Sequence, residues 1–216
     1  MRSIFEPLRT SWESLLGSVH VYALPGWDRT VVAPWQDAIA ATEVCKVQPL
    51  EFLHATIART PLFLPAAQRM PKSSQDGTRA ALPQELAHFS AALDHIAGAR
   101  PAFEVPLGRP EIMTTAVCAA GEQTQQWQTL VTEVRAAISQ AFPDRPTPPG
   151  PFGPHVSLGY ARLAADDAPL CAAYGVLAAT PWSATLRVGA LHLLSVDANE
   201  DAGTFTWSTL SVHPLN

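Results

Sequence analysis

Two short segments of the sequence repeat one pattern of residue types. His54–Ile57 (HATI) and His155–Leu158 (HVSL) each run histidine, small or apolar residue, hydroxyl residue, large aliphatic residue. Both lie in stretches that favour a β-strand, and successive side chains of a strand point to opposite faces. The histidine and hydroxyl of each segment therefore share one face, while the aliphatic side chains anchor the other face to a core. About 100 residues separate the two histidines, so each pair is expected to belong to its own half of the chain.

Two such pairs facing each other could perform acid–base chemistry on a phosphodiester. One neutral imidazole can take a proton from water, and the other, protonated, can give a proton to the leaving oxygen, since a histidine pKa of roughly 6.5 leaves both forms accessible. The hydroxyls of Thr56 and Ser157 can donate hydrogen bonds to non-bridging phosphate oxygens. These roles need no metal ion or organic cofactor, and the sequence offers no convincing metal-ligand cluster, so we expect neither. A strained cyclic phosphodiester suits the arrangement best.

The elements that must carry these residues are predicted from hydrophobic periodicity and residue preference. Strands and helices mix without strict alternation, which favours an α+β fold over a doubly wound parallel sheet. Strands are predicted at 19–24, 50–59, 102–107, 112–119, 155–161, 185–196 and 204–212. Helices are predicted at 35–44, 84–97, 123–141 and 167–177.

Two proline-rich segments separate these elements. Residues 61–83 show no clear period and have a polar middle, so we expect a mobile surface loop there. Residues 143–154 (PDRPTPPGPFGP) are too rich in proline and glycine for a helix or central strand, and we expect a rigid connector.

Composition excludes several classes of protein. Of the 216 residues 47% are hydrophobic and 15% charged, which permits a sizeable core and argues against disorder. A formal net charge of -5 argues against a protein that coats long stretches of nucleic acid. Three widely spaced cysteines, without a CxxC pair, argue against a disulfide framework or a structural zinc site. With no apolar run approaching the roughly 20 residues that span a bilayer, we expect a soluble, cytoplasmic protein.

The two tetrads resemble the defining H-x-[ST]-aliphatic motifs of the 2H phosphoesterase superfamily, the group of 2′-5′ RNA ligases and RNA 2′,3′-cyclic phosphodiesterases. The similarity extends through HVYALP at 20–25, LHATIAR at 53–59, PHVSLGYAR at 154–162 and TFTWSTLSVHPL at 204–215. The resemblance implies a single bilobal domain over residues 1–216. In it, two pseudo-symmetric lobes of antiparallel sheet with outer helices would flank a central cleft, and each lobe would contribute one motif strand.

The resemblance also implies the roles of the four motif residues. His54 and His155 would be the catalytic residues, and Thr56 and Ser157 would bind the substrate phosphate. The motifs leave open which histidine is the base and which is the acid.

The candidate cleft-lining residues follow the tetrads in the chain: Arg59, Tyr160 and Arg162. Strict alternation along a strand places all three with the aliphatic face, so solvated or core roles compete with contact to substrate. By the same alternation, Gly159 shares the face of His155 and could leave room for substrate or simply pack. His20 is a weaker candidate to border the cleft.

The resemblance predicts an enzyme, a metal-independent phosphodiesterase. It would open the 2′,3′-cyclic phosphate of RNA ends or nucleotides to a 2′-phosphomonoester, with weak 2′-5′ RNA ligase activity in reverse. Two alternatives stay open: hydrolysis of 2′-5′-linked or cyclic signalling nucleotides in the same cleft, and a non-catalytic module that binds an RNA end or nucleotide.

The expected partner is a nucleotide or an RNA 3′ end with a cyclic phosphate, with no extended duplex and no membrane. Nothing in the sequence demands more than a monomer. The abundance of alanine, proline and arginine is typical of a GC-rich bacterial genome.

Overall fold

The computed structural model describes residues 17–64, 79–150, 153–161, 168–177, 182–199 and 202–216. The strands are β1 (Ser18–Ala23), β2 (Cys45–Val47), β3 (Ala55–Phe63), β4 (Arg79–Ala80), β5 (Phe103–Leu107), β6 (Glu111–Ile112), β7 (Ala116–Ala120), β8 (His155–Ala161), β9 (Ala184–Val188), β10 (Ala190–Asn199) and β11 (Thr204–Pro214). The helices are α1 (Arg29–Ala41), α2 (Pro83–Gly98), α3 (Gln125–Ala141) and α4 (Ala168–Leu177). The predicted α+β class is confirmed. Among the described residues, every helix is too short or too polar to cross a bilayer.

Two sheets carry the two tetrads. A five-stranded sheet in the order β11-β10-β1-β3-β4 contains the first, and a four-stranded sheet in the order β2-β8-β7-β6 contains the second. Neighbouring strands run antiparallel except β3 and β4, which are parallel. Strands β5 and β9 form a separate antiparallel pair. His54 directly precedes β3 and His155 begins β8, so both histidines lie at the start of a motif strand.

The sheets are not built from separate halves of the chain. Strand β2, from the N-terminal half, pairs with β8, while β10 and β11, from the C-terminal half, complete the sheet of β1 and β3. Each His–hydroxyl pair does come from its own half of the chain, but each sheet also takes strands from the other half.

The helices cover the sheet faces opposite the histidine and hydroxyl of each tetrad. Helix α1 packs on β2, β8 and α4, while α2 and α3 pack together against β3, β10 and β11. Helix α3 buries one apolar stripe at helical spacing, formed by Trp127, Leu130, Val134, Ala137 and Ile138. One large core of buried side chains joins these helices to both sheets.

Helix α1 begins six residues earlier than predicted. Pro34, the sixth residue of the helix, lies inside it, where proline lacks the N–H of one backbone hydrogen bond. The actual start is fixed by Asp28, whose side chain accepts a hydrogen bond from the backbone N–H of Thr30 at 2.8 Å.

Several predicted strands differ from the observed ones. The strand predicted at 112–119 is two strands, β6 and β7, and the one predicted at 185–196 is split into β9 and β10 at Gly189. Strands β2 and β4, of three and two residues, are too short to show a period. Residues 50–52, predicted as strand, form a 3-10 helical turn.

The two proline-rich segments have different outcomes. The ends of the 61–83 segment are ordered, because β3 continues through Phe63, β4 covers Arg79–Ala80 and α2 begins at Pro83. Its middle, 65–78, lies outside the described residues. Within the described part of the 143–154 connector no helix or strand forms, as predicted.

Candidate active site

A cleft of about 630 Å³ lies between the five-stranded and four-stranded sheets. Its lining includes both histidines and both hydroxyl residues of the tetrads: His54, Thr56, His155 and Ser157. The other side chains lining it come mainly from β1, β3, the β6–β7 hairpin, β8 and β11: His20, Tyr22, Arg59, Met113, Thr114, Thr115, Cys118, Tyr160 and Phe205.

The two motif histidines are held in the same way. Nδ1 of His54 lies 3.0 Å from the carbonyl oxygen of Phe52, and Nδ1 of His155 lies 3.0 Å from that of Gly153. In both cases the acceptor is the backbone carbonyl two residues earlier. Since a carbonyl can only accept, Nδ1 must carry a proton. The Nε2 atom of each ring is therefore left for proton exchange with a ligand.

The environments of the two rings differ. His54 is 8% exposed, whereas His155 is half-buried. Tyr22 stacks on the His54 ring at 4.1 Å and 11°, and Trp207 meets it edge-on at 5.1 Å. Burial lowers the pKa of His54 to about 4; the Phe52 carbonyl raises this pKa and the charge of His155 lowers it further. His54 is thus held as the neutral base form.

A buried chain of polar side chains leads to the first tetrad hydroxyl. Along β1, Ser18 Oγ lies 2.9 Å from His20 Nε2, and His20 Nδ1 lies 2.7 Å from the hydroxyl of Tyr22. The Tyr22 hydroxyl is also hydrogen-bonded to Thr56, while burial raises the pKa of Tyr22. Burial, followed by the charge of Arg59, lowers the pKa of His20 well below its usual value. This neutral imidazole has one N–H and one lone pair with which to link its two neighbours.

The second tetrad hydroxyl has a comparable partner. The hydroxyl of Tyr160 is hydrogen-bonded to Ser157, and burial raises the pKa of Tyr160. Ser157 Oγ also lies 3.2 Å from Cys118 Sγ. The Tyr160 ring packs edge-on against Phe205 at 4.9 Å. A buried tyrosine therefore contacts the hydroxyl of each tetrad.

A β-bulge brings Arg59 into the cleft. On β1 the register advances one residue, from Tyr22 to Val21, while on β3 it advances two, from Thr56 to Ala58. Such an extra residue interrupts the alternation of side chains. Both Ile57 and Ala58 are fully buried, and Arg59 returns to the cleft face. Strict alternation placed Arg59 on the opposite face, and the bulge is the reason that it fails.

The second motif strand carries the same irregularity at the equivalent position. Val117 pairs with Gly159 and Cys118 with Ser157, so β8 also advances two residues for one. Tyr160 consequently lines the cleft. Gly159 does not line the cleft. A Cβ at this position would instead lie 3.2 Å from the Ile39 side chain of α1. The packing interpretation of Gly159 is therefore the right one, and Arg162 lies outside the described residues.

Gln48, which the sequence did not single out, links the two sheets behind the cleft. It is fully buried, and its side-chain amide donates to the carbonyls of Phe52 at 2.8 Å and Phe205 at 2.6 Å. The same amide accepts from the Phe205 N–H at 3.1 Å. The Phe52 carbonyl thus holds both Gln48 and the ring of His54. No local pattern could have shown this, since Phe205 lies 157 positions away in the chain.

Other polar residues stay apart from the cleft. Exposed His88 and His95 lie on α2, as expected of a solvated helix face. Across the described ranges, no group of three or more histidine, cysteine, aspartate or glutamate side chains is placed to hold a metal ion. His20, the weaker candidate from the sequence, does line the cleft. Tyr22, which the sequence analysis missed, could have been found from the alternation H-x-Y in the strand predicted at 19–24.

Comparison with known proteins gave a family and a set of similar folds. The family model described as the 2′-5′ RNA ligase superfamily matches residues 62–200, a range that contains the second tetrad and begins after the first. TT0787 of Thermus thermophilus is similar in structure with a TM-score of 0.62 and 16% identity, over 92% of this chain and 97% of that one. A search of curated protein sequences found no significant match.

Two crystal structures of E. coli LigT are also similar to the structure of this chain. The apo form has a TM-score of 0.61 and 14% identity, over 93% of this chain and 98% of that one. The complex of LigT with 3′-AMP has a TM-score of 0.61 and 16% identity, with the same coverage. At these identities the likeness establishes the fold: antiparallel sheets with few helices around a cleft.

Proposed function

The chain belongs to the 2′-5′ RNA ligase superfamily of 2H phosphoesterases, and from that premise we propose that it is a cyclic phosphodiesterase. The substrate is the 2′,3′-cyclic phosphate of an RNA 3′ end or of a nucleotide, and the product is a 2′-phosphomonoester. One observation carries the proposal. Two imidazoles from different sheets line one cleft, each with its Nδ1 proton held by a carbonyl and each accompanied by a hydroxyl.

The different burial of the two rings supports distinct roles for them. His54 is the general base, because its lowered pKa keeps Nε2 unprotonated throughout the neutral range. His155, which is less buried, is the general acid. His54 takes a proton from water as the water oxygen bonds to phosphorus. The bond from phosphorus to the 3′ oxygen breaks, and His155 gives its proton to that oxygen.

The tetrad hydroxyls stabilise charge on the non-bridging oxygens. For Thr56 to donate to phosphate, its oxygen must accept from Tyr22, whose own oxygen then accepts from Nδ1–H of His20. Nε2 of His20 in turn accepts from Ser18. This direction leaves every group of the chain satisfied and aims one hydroxyl proton at the substrate.

The proposal predicts hydrolysis of a 2′,3′-cyclic mononucleotide to the 2′-phosphate, identified by chromatography against 2′ and 3′ standards. His54→Ala and His155→Ala should each lower kcat at least 10³-fold, because each removes a proton-transfer group. His88→Ala, on the exposed face of α2, is the matched control and should keep wild-type turnover.

The same assay tests metal use and the assignment of the base. Two imidazoles and two hydroxyls supply the proton transfers and charge stabilisation, so turnover should persist in EDTA. On the acid side of the pH profile, the kcat/KM of the wild type should fall only as the pH drops toward the pKa of His54, about 4. Wild-type protein that binds the cyclic nucleotide without turning it over would instead be a binding module. Unchanged rates in both histidine variants would remove the mechanism.

A further inference from the structure

Arg59 is a cation inside the cleft. It is exposed, lines the cleft through the β3 bulge, and has no carboxylate within salt-bridge distance among the described residues. Of the described side chains that line the cleft, Arg59 alone carries a permanent charge, and none is acidic. A protein of net charge -5 thus places a guanidinium where an anionic substrate must enter.

The position of Arg59 sets it apart from the reacting phosphate. The reacting phosphorus must lie between the two His–hydroxyl pairs, at the start of β3 and β8. Arg59 lies further along β3, directly across from His20 of β1. Its charge lowers the pKa of His20 and opposes the raised pKa of Tyr22, so its field acts on the β1 side of the cleft.

We propose that Arg59 forms a second phosphate-binding subsite on the 5′ side of the terminal ribose. The inference rests on the proposed function for its placement of the reacting phosphate. A guanidinium can hold a phosphate with two parallel hydrogen bonds, which a single ammonium cannot do. The preferred substrate class therefore carries two phosphates: the cyclic one and a second one ribose away, either a 5′-phosphate or the last internucleotide linkage of an RNA end.

Equilibrium binding tests the subsite without requiring turnover. The ligands are 2′-AMP, with one phosphate, and adenosine 2′,5′-bisphosphate, with two, measured by calorimetry at fixed salt. Wild type should bind the bisphosphate at least tenfold tighter. In Arg59→Gln the preference should fall to about twofold, while Arg59→Lys should be intermediate because it retains only a point charge. Arg187→Gln removes an exposed arginine of β9 outside the cleft lining and should keep the wild-type preference.

Two results would overturn the subsite. One is a wild-type preference near unity, and the other is an equal loss of affinity for both ligands in Arg59→Gln, which would assign Arg59 to the reacting phosphate. Absence of hydrolysis with a retained, Arg59-dependent preference would refute the proposed function and leave the subsite standing. Unfolding curves check that both Arg59 variants are folded.

A kinetic experiment identifies the source of the second phosphate. It compares kcat/KM for adenosine 2′,3′-cyclic phosphate, its 5′-phosphorylated form and the dinucleotide ApA with a 2′,3′-cyclic end. A gain of about tenfold confined to the 5′-phosphorylated form assigns the subsite to nucleotides, and a gain with the dinucleotide assigns it to RNA ends. No gain with either would contradict the proposal.

Discussion

The side chain of Gln48 offers a direct test of how the two sheets are held together. Its amide pairs with both backbone groups of Phe205 on the edge strand β11, and also with the carbonyl of Phe52 that holds His54. The Gln48 side-chain amide thus gives the edge strand β11 the pair of hydrogen bonds that a neighbouring strand would give it. Because Gln48 is fully buried, water cannot replace these bonds without local opening.

We predict that Gln48→Met lowers the free energy of unfolding by about 3 kcal/mol. Methionine has a similar length and volume, so little cavity forms. The N–H and carbonyl of Phe205 each lose a partner, at a cost of roughly 1–3 kcal/mol for a buried group. The lower part of that range applies because Phe205 is only half-buried. The Phe52 carbonyl keeps its bond from His54 and adds little to the cost.

Urea unfolding followed by tryptophan fluorescence measures the loss as a lower midpoint at an unchanged slope. The matched control is Gln36→Met, which removes one half-buried hydrogen bond of 2.8 Å to the Gln48 carbonyl. It should cost only about 1 kcal/mol. Equal losses in the two variants would refute the role given to the Gln48 amide.

Three further predictions concern acid, the tyrosine hydroxyl and packing. Stability should decline from about pH 7 toward pH 5, with a slope approaching about 2 kcal/mol per pH unit. Burial lowers the pKa of both His20 and His54, so protons bind preferentially to the unfolded chain below the usual histidine pKa; a melting temperature independent of pH would contradict this. Tyr22→Phe keeps the ring that stacks on His54 but removes the hydroxyl that is hydrogen-bonded to Thr56. The kcat should therefore drop roughly tenfold. An unaltered kcat would show that the Tyr22 hydroxyl does not orient Thr56. Gly159→Ala should cost about 2 kcal/mol in urea unfolding, because its Cβ would lie 2.9 Å from a backbone carbonyl oxygen; a neutral effect would mean that the backbone shifts freely.

The tetrads could be predicted because their information is local. A histidine and a hydroxyl two residues apart share a face in any regular strand, and the aliphatic neighbours identify the opposite face. The structure brings His54, Thr56, His155 and Ser157 to one cleft, as that argument expects. The α3 stripe was likewise predictable, because it follows helical spacing over several turns.

What could not be predicted depends on partners far away in the chain. The bulges that turn Arg59 and Tyr160 into the cleft exist only in the pairing of β3 with β1 and of β8 with β7. The role of Gln48 depends on Phe205, and short strands such as β2 form because a longer strand pairs with them. That residues 1–216 act as one monomeric, cytoplasmic, bacterial domain stays a prediction.

The exchange of strands between the sheets has a consequence for protein synthesis. Strand β1 leaves the ribosome first among the described strands, yet one of its two neighbours, β10, is among the last. Until β10 has been synthesised, one edge of β1 has no partner strand. The sheet that carries the polar residues of β1 is incomplete during that time. Translation must therefore be nearly complete before the cleft exists, and two separately expressed halves of the chain could form it only by reassembling their strands.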